Sequence, residues 1–347
     1  MVENLPKKIT LTSFFKMFLV TCLAGLLLIA VWGCQVGGGT GSDPATAGGE
    51  VRLKVTENFG QEVIFDEKVE AAPGEAVSSL LNSHLEVEFA HGGGFVNSIE
   101  GVKSAYSGIG AGSEKKDWFH YVNGILTEAA VDSIYLEEGD VIWWDYHSWD
   151  EVLYVPAVTG AFPQPFVNGY RQENPGTAIM HGDGALPSAE KMADFLKEEG
   201  AADPEPELLP YNEENVRERS RITMVVATWE EIAGSELWED LQENRAQTGL
   251  FVEIQDQGVI PLDGTGAKLP ETPPFEGAVL ATGSGMGDSS PLWLLAARDE
   301  EQLERLADAV ISSPRALDAK AGAVWDGEEF LRVPVDQAEA FDQAGRE

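Results

Sequence analysis

The sequence predicts two domains of mixed class, an α+β domain followed by an α/β domain with a partly parallel sheet. Three observations support this. Short segments that alternate apolar and polar residues run from Val51 to about residue 157, with one helix pattern among them. From residue 158 to 335, a strand pattern is followed by an amphipathic helix pattern three times in series. The length of 347 residues is enough for more than one domain.

The first domain, residues 51–157, reads as a hairpin, one helix and several more strands. Alternation is clear in "VRLKVTENF" and again in "QEVIFDEKVEA", and "APGEAVSSLLNSH" then changes to helical spacing. The Asn123-Gly124 pair is typical of a two-residue hairpin turn. Further strands are predicted at 95–102, 118–122, 132–136 and 141–146. This order of elements predicts a β-grasp-like fold.

The second domain, residues 158–335, has the rhythm of an α/β protein. A strand, a loop and an amphipathic helix are indicated by "TAIMHGDGALPSAEKMADFLKEEG", and the segments beginning "RITMVVATWEE" and "PLWLLAARDEE" repeat that order. We expect the short strands "LFVEIQD", "GAVLATG" and "GAVWDGEEFLRV" to complete the sheet and the Pro-rich "DPEPELLPYNEE" to be a loop. Residues 336–347 are predicted to be an acidic tail.

The N-terminal segment indicates export. Three lysines, at positions 7, 8 and 16, precede the apolar run 17–32, and Gly33-Cys34 follows, so residues 1–33 are predicted to be a signal peptide. "VWGC" resembles the lipobox of bacterial lipoproteins, which implies lipid attachment at Cys34. Residues 34–50 are Gly/Ser/Thr-rich and predict a flexible tether. We therefore expect a lipid-anchored protein on the extracytoplasmic face of the bacterial membrane; the alternative is an uncleaved anchor.

Composition excludes several classes of function. The formal net charge is −36, which opposes nucleic-acid binding because that binding depends on neutralising phosphates with Lys and Arg. The two cysteines, Cys22 and Cys34, lie in the signal peptide and directly after it. The predicted domains therefore contain no cysteine for a disulfide or a thiolate metal site.

Motifs for catalysis are incomplete. The glycine-rich loop His91–Gly94 resembles an oxyanion loop, but no G-x-S-x-G accompanies it. Ser113–Lys116 fits S-x-x-K without its partner motifs, and the glycines of "TGSGMGDSS" fit no phosphate loop. The five histidines show no H-x-x-x-H or H-E-x-x-H spacing. We expect neither an enzyme nor a dedicated metal site.

An aromatic segment, "GDVIWWDYHSW" at 139–149, is the strongest candidate for a binding surface. In a strand, Trp143, Asp145 and His147 lie on one face, and Ile142, Trp144 and Tyr146 lie on the other. If the histidine-bearing faces of this strand and of 118–122 coincide, their tryptophans and histidines lie together. The expected ligand-binding residues are Trp118, His120, Trp143, His147 and Trp149. The alternative is a central strand that is buried on both faces.

The pattern W-x-x-Y-V-N-G, then E-x-G-D-x-I-x-W-x-Y, resembles the transcobalamin-like C-terminal domain of Gram-positive surface lipoproteins. Trp118, Tyr121, Asn123, Gly124 and Asp140 are among the matching positions. The resemblance covers about residues 51–150 and implies cobalamin or another corrinoid as the ligand.

We therefore expect a surface lipoprotein that binds a small ligand without catalysis and delivers it to a membrane transporter. The imidazole of His120 or His147 is suited to act as an axial ligand to cobalt or haem iron. The alternative is a structural or protein-interaction module of the cell envelope, with the aromatics packed between the two domains.

Overall fold

The computed structural model describes residues 48–106, 112–255, 258–269 and 274–336, all of which belong to one compact unit. The predicted signal peptide, Cys34, most of the predicted tether and all but the first residue of the predicted tail lie outside the described residues. Residues 49 and 50, expected in the tether, belong instead to the first strand. Within the described residues, no helix is long and apolar enough to cross a membrane.

Strands dominate the structure, and the helices are few. In chain order the described strands are β1 (Gly49–Glu57), β2 (Glu62–Ala71), β3 (Val87–Ala90), β4 (Phe95–Ile99), β5 (Val102–Lys103), β6 (Lys116–Val122), β7 (Ile125–Leu126), β8 (Val141–Ser148), β9 (Thr177–His181), β10 (Glu207–Pro210), β11 (Ile222–Thr228), β12 (Val252–Gln255), β13 (Gly258–Pro261), β14 (Gly277–Thr282), β15 (Leu292–Ala297), β16 (Gly322–Trp325) and β17 (Phe330–Val333). The described α-helices are α1 (Val77–His84), α2 (Leu186–Glu198), α3 (Glu213–Arg217), α4 (Trp229–Ile232), α5 (Glu236–Glu243), α6 (Arg245–Thr248) and α7 (Glu300–Ser312).

The first sheet has the strand order β2-β1-β8-β6-β7. β1 pairs antiparallel with β2 and parallel with β8, and β6 pairs antiparallel with β8. Helix α1 covers one face, because Val77, Leu80 and Leu81 share a core with the inward residues of β1. A separate small sheet has the order β3-β4-β5. The α+β prediction is confirmed, but the strand expected at 132–136 is wrong, since Tyr135 makes only an isolated bridge to Ala76.

The second sheet has the order β10-β9-β11-β15-β14-β16-β17. Its first four strands are parallel, and the last three are antiparallel, so the partly parallel sheet is confirmed. Two details of the prediction are wrong. The segment expected to be a loop contains the edge strand β10, and β12 pairs with β13 in a sheet of its own. Short edge strands carry too few residues for their alternation to stand out.

The two large sheets face each other. Helices α2 and α7 pack on one face of the second sheet, in a core that includes Met192 and Leu306. Its other face shares a core with the first sheet, in which Tyr121 and Trp143 join Val225 and Trp229. Strand β8 is therefore covered on both faces, by α1 and the small sheet on one side and by the second sheet on the other. The proposed domain boundary at residue 157 stays a prediction.

The predicted Asn123-Gly124 turn is present between β6 and β7. Val122 pairs with Ile125, and both turn residues have positive φ, 51° and 81°. The Asn123 side chain also donates to Asp140 Oδ1 at 2.9 Å. A Cβ at Gly124 would meet the Val158 carbonyl oxygen at 2.8 Å, so a glycine is required here for space as well as for conformation.

We expect Gly124→Ala to lower the free energy of unfolding by about 2 kcal/mol, because the left-handed conformation and the close approach both oppose a side chain. The matched control is Gly101→Ala, since Gly101 has the same φ of 81° and no atom within 4 Å of its added Cβ. Urea unfolding of both variants measures the difference. Equal losses would show that the contact with Val158 contributes nothing.

Candidate functional site

The register of β6 against β8 separates the predicted site residues. Trp118 pairs with Tyr146, His120 with Trp144, and Tyr121 with Trp143. Directly opposed residues point to the same face of a sheet, so Trp118 and His120 lie on the Trp144 face. Trp143 and His147 lie on the opposite face. The expectation that all four meet on one surface is therefore wrong.

The Trp144 face is a sealed core. The His120 ring stacks on Trp144 with centroids 4.4 Å apart and 6° between the planes. Both ring nitrogens of His120 are buried without a hydrogen-bond partner, and burial lowers its pKa to about 3. Trp118 donates from Nε1 to the Val102 carbonyl at 3.0 Å and lies against Tyr146. Nothing in this geometry presents His120 to a ligand.

Trp149 lies beyond the end of β8 and is only partly exposed. Its ring meets Tyr106 edge-on at 4.9 Å, and Lys115 Nζ lies 5.6 Å from the ring centroid. Among the described residues, the side chain of Trp149 makes no ring contact and no hydrogen bond with the side chains of Trp118, His120, Trp143 or His147. Its predicted role is therefore independent of theirs.

The opposite face carries a hydrogen-bonded chain of buried side chains. Trp143 Nε1 donates to Thr56 Oγ1 at 2.7 Å, and Thr56 Oγ1 donates to Asp145 Oδ1. Asp145 Oδ2 in turn accepts from His147 Nδ1 at 2.8 Å. Two of the predicted site residues, Trp143 and His147, are thus joined through a carboxylate that has no exposed surface.

The turn between β1 and β2 holds the Asp145 carboxylate in place. The backbone N–H groups of Phe59 and Gly60 donate to Asp145 at 2.8 and 3.1 Å. They can converge because Asn58, Phe59 and Gly60 all have positive φ, between 53° and 82°. Four donors therefore surround one buried carboxylate, which compensates for its loss of hydration.

His147 is locked in orientation and opens onto a cavity. Its ring is stacked between Phe59, at 4.0 Å, and Phe119, at 4.1 Å. Asp145 accepts a hydrogen bond from Nδ1, so Nδ1 carries the proton and Nε2 keeps its lone pair in the neutral ring. The residue is only 2% exposed but lines a cavity of about 440 Å³.

The walls of this cavity come from three parts of the chain. They are the β1–β2 turn, the end of β8, and the loop at 263–265 with the segment 334–336. The lining residues are Asn58, Phe59, Gln61, His147, Ser148, Asp150, Glu151, Asp263, Gly264, Thr265, Pro334, Val335 and Asp336. Within the described part of the chain, no group of three or more His, Cys, Asp or Glu side chains is arranged to hold a metal ion.

A larger groove of about 750 Å³ lies elsewhere, between the first sheet and the connecting segments 161–168 and 312–318. At its base the Arg52 guanidinium pairs with Asp66 and Asp318, and Lys54 Nζ pairs with Asp318 at 2.9 Å and the Gly160 carbonyl at 2.7 Å. These two basic groups are therefore already paired, and they act as a clamp between β1 and the segment that precedes β16.

Sequence reasoning missed Asp145, Thr56 and Phe59 as site residues. Asp145 and His147 are two positions apart in a strand, and this D-x-H spacing on one face was the available signal. Thr56 and Phe59 gave none, because their contacts depend on the parallel pairing of β1 with β8 and on the turn that follows β1.

Comparisons with known proteins give limited matches. A family model described as a domain of unknown function, DUF4430, matches residues 74–148. A search of curated proteins gives no match. A solved structure of a "putative metal binding protein" from Ruminococcus gnavus ATCC 29149 is 14% identical over 29% of this chain and 97% of that one, with a TM-score of 0.23. A similarity at that level carries no argument about this chain. The matched domain ends at β8 and includes His147.

Proposed function

We propose that this protein is a lipid-anchored binding protein of the bacterial surface that holds a small ligand through His147 without catalysis. One observation carries the proposal: a buried imidazole, held by Asp145 and two phenylalanine rings, lines a cavity. Ligand sites of this size combine apolar walls with a few oriented polar groups.

Cobalamin or another corrinoid is the proposed ligand, and a membrane transporter is the proposed recipient. The transcobalamin-like motif of the sequence supports the corrinoid, and a histidine nitrogen is a suitable axial ligand to its cobalt. A corrinoid is too large to be enclosed in a cavity of about 440 Å³, so only part of it would enter, and His147 would be the residue that supplies a ligand to its cobalt. In this proposal the chain is exported and acylated at Cys34, so the cavity would lie outside the cell.

We expect aquocobalamin to bind the full-length protein in detergent with a change in its visible spectrum, as the cobalt-bound water is replaced by imidazole. His147→Gln should abolish the spectral change, because a carboxamide is a poor ligand to cobalt. The matched control is His84→Gln, which changes an exposed histidine at the end of α1. Absorbance titration at micromolar protein, with aquocobalamin and haem in parallel, measures both.

Absence of any spectral change with either compound would reject the corrinoid and haem ligands. Binding that is equally strong in His147→Gln would reject this site. The competing proposal, a structural module of the cell envelope, is favoured by Trp143, which is 1% exposed in the core shared by the two sheets. That module would show no saturable ligand in either titration.

A further inference from the structure

The hydrogen-bonded chain from Trp143 to His147 runs in one direction. An indole N–H can only donate, so the contact of 2.7 Å from Trp143 Nε1 occupies a lone pair of Thr56 Oγ1. A threonine hydroxyl has one hydrogen, and Thr56 donates it to Asp145 Oδ1. Asp145 therefore receives a donor from this end of the chain.

Two further donors fix the state of the Asp145 carboxyl group. The backbone N–H of Phe59 donates to Oδ2 and that of Gly60 to Oδ1, and neither group can accept. A carboxyl group that accepts several hydrogen bonds is favoured in its ionised form, which has no hydrogen to give. The last contact of Asp145, with His147 Nδ1 at 2.8 Å, must then also come from a donor. The proton on Nδ1 is thus dictated by the surroundings of the ring.

Burial makes this direction difficult to reverse. Trp143, Thr56, Asp145 and His147 are all at most 2% exposed, so bulk water does not supply a substitute partner. The Trp143 ring is also tightly packed, because a Cβ added to Gly160 would lie 2.8 Å from its Cζ3 atom. The indole N–H and the hydroxyl that accepts it are therefore held in place.

We propose that this chain sets the tautomer of His147, with Asp145 and Thr56 as its positioning residues. They keep the proton on Nδ1 and the lone pair on Nε2. The consequence for the ligand rests on the proposed function, because a metal binds the unprotonated nitrogen of a neutral imidazole. Trp143, expected to bind the ligand, contributes instead by holding the Thr56 hydroxyl.

The tautomer can be measured in the unsubstituted protein. Full-length protein in detergent, with ¹⁵N in its histidine rings, gives long-range proton–nitrogen correlation spectra that distinguish protonated from unprotonated ring nitrogens. The signals that disappear in His147→Gln belong to His147. At a pH where a free imidazole is neutral, we expect Nδ1 to be protonated and Nε2 to be unprotonated. A protonated Nε2 would overturn the inference without any further variant.

Asp145→Asn tests whether the chain decides the tautomer. With the amide oxygen toward Thr56 and Gly60, only the Phe59 N–H loses its acceptor. The reverse orientation leaves two donors without an acceptor, the Thr56 hydroxyl and the Gly60 N–H. The amide NH₂ should therefore face His147 and donate to Nδ1. We expect about a tenfold excess of the Nε2–H form in the spectrum.

Thr56→Val in the Asp145→Asn background tests the hydroxyl. Without it, each orientation of the amide leaves one backbone N–H unpaired, that of Phe59 or that of Gly60. We expect the two tautomers of His147 to be within about threefold of each other. Thr56→Ser in the same background is the matched control, because it keeps the hydroxyl and should keep the excess of the Nε2–H form. The same excess with Val would overturn the role of Thr56.

Aquocobalamin titration of these variants connects the tautomer to the ligand. Asp145→Asn should bind about tenfold more weakly than the unsubstituted protein, because Nε2 is mostly protonated. Adding Thr56→Val should make binding about threefold tighter than in Asp145→Asn alone, because more of the rings have a free Nε2. Damage to the fold would instead weaken binding further with each substitution.

The spectra and the titrations fail separately. An unchanged tautomer of His147 in Asp145→Asn overturns this inference, whatever the ligand. The expected tautomers in all variants, with no binding of aquocobalamin by the unsubstituted protein, support the chain and overturn the corrinoid as the ligand. The expected tautomers with equal affinity in all variants support the chain and overturn His147 as the ligating residue.

Discussion

Replacement of His120 by phenylalanine is expected to remove a large acid sensitivity from the protein. In the folded state both ring nitrogens of His120 are buried without partners, and burial lowers its pKa to about 3. In the unfolded chain the pKa is about 6.5. Between these values the unfolded state binds one proton more than the folded state, so stability falls as the pH is lowered through this window.

The size of the effect follows from the separation of the two pKa values. From pH 7 to pH 4 the unfavourable linkage at His120 amounts to about 3 kcal/mol. Phenylalanine retains the stacking on Trp144 and cannot bind a proton, and replacing an unpaired buried polar ring with an apolar one is neutral or stabilising at pH 7. The difference in unfolding free energy between His120→Phe and the unsubstituted protein should therefore grow by about 3 kcal/mol on acidification.

The measurement is urea unfolding at a series of pH values for both proteins. Many carboxylates also titrate below pH 5, but they are common to both proteins and cancel in the difference. His84→Phe is the control, because it makes the same substitution at an exposed position at the end of α1. A flat difference for His120→Phe would mean that protons reach this ring in the folded protein.

The behaviour of His120 and His147 shows what the sequence could and could not establish. Alternation along β8 predicted its two faces, and both are as expected. Cross-strand register could not be predicted, because β6 and β8 are joined by a long connection and not by a tight turn. A shift of one residue in the pairing of β6 with β8 would have placed Phe119 on the Trp144 face and His120 on the Trp143 face. His120 would then not be the histidine that is sealed in the core.

The site around His147 depends on contacts between distant parts of the sequence. Thr56 reaches Asp145 across 89 positions, because β1 lies parallel beside β8 at the centre of the sheet. Phe59 covers the imidazole only because the turn after β1 adopts positive φ at three successive residues. Residue type alone indicates neither arrangement, since phenylalanine rarely takes this conformation.

The second large effect is expected at the clamp between β1 and the segment that precedes β16. Lys54 is 1% exposed, and burial lowers its pKa, an effect that Asp318 opposes through a hydrogen bond of 2.9 Å. Asp318→Ala would leave the Lys54 ammonium buried with only the Gly160 carbonyl as a partner. Removing one member of a buried ion pair typically costs about 3–5 kcal/mol, and we expect a loss of that size in the free energy of unfolding.

Lys54→Met provides the decisive contrast, because it removes the buried charge and keeps much of the side-chain volume. Asp318 still accepts a hydrogen bond from Arg52 Nη1 at 2.7 Å in that variant, so we expect a loss of only about 1 kcal/mol in the free energy of unfolding. In the double variant Lys54→Met with Asp318→Ala, no ammonium is buried without its carboxylate partner, and the double variant should be more stable than Asp318→Ala alone.

Urea unfolding of the unsubstituted protein and of all three variants completes this double-mutant cycle. Equal losses in the two single variants would show that Lys54 is hydrated in the folded protein. A double variant less stable than either single one would show that Asp318 acts through Arg52 and not through Lys54.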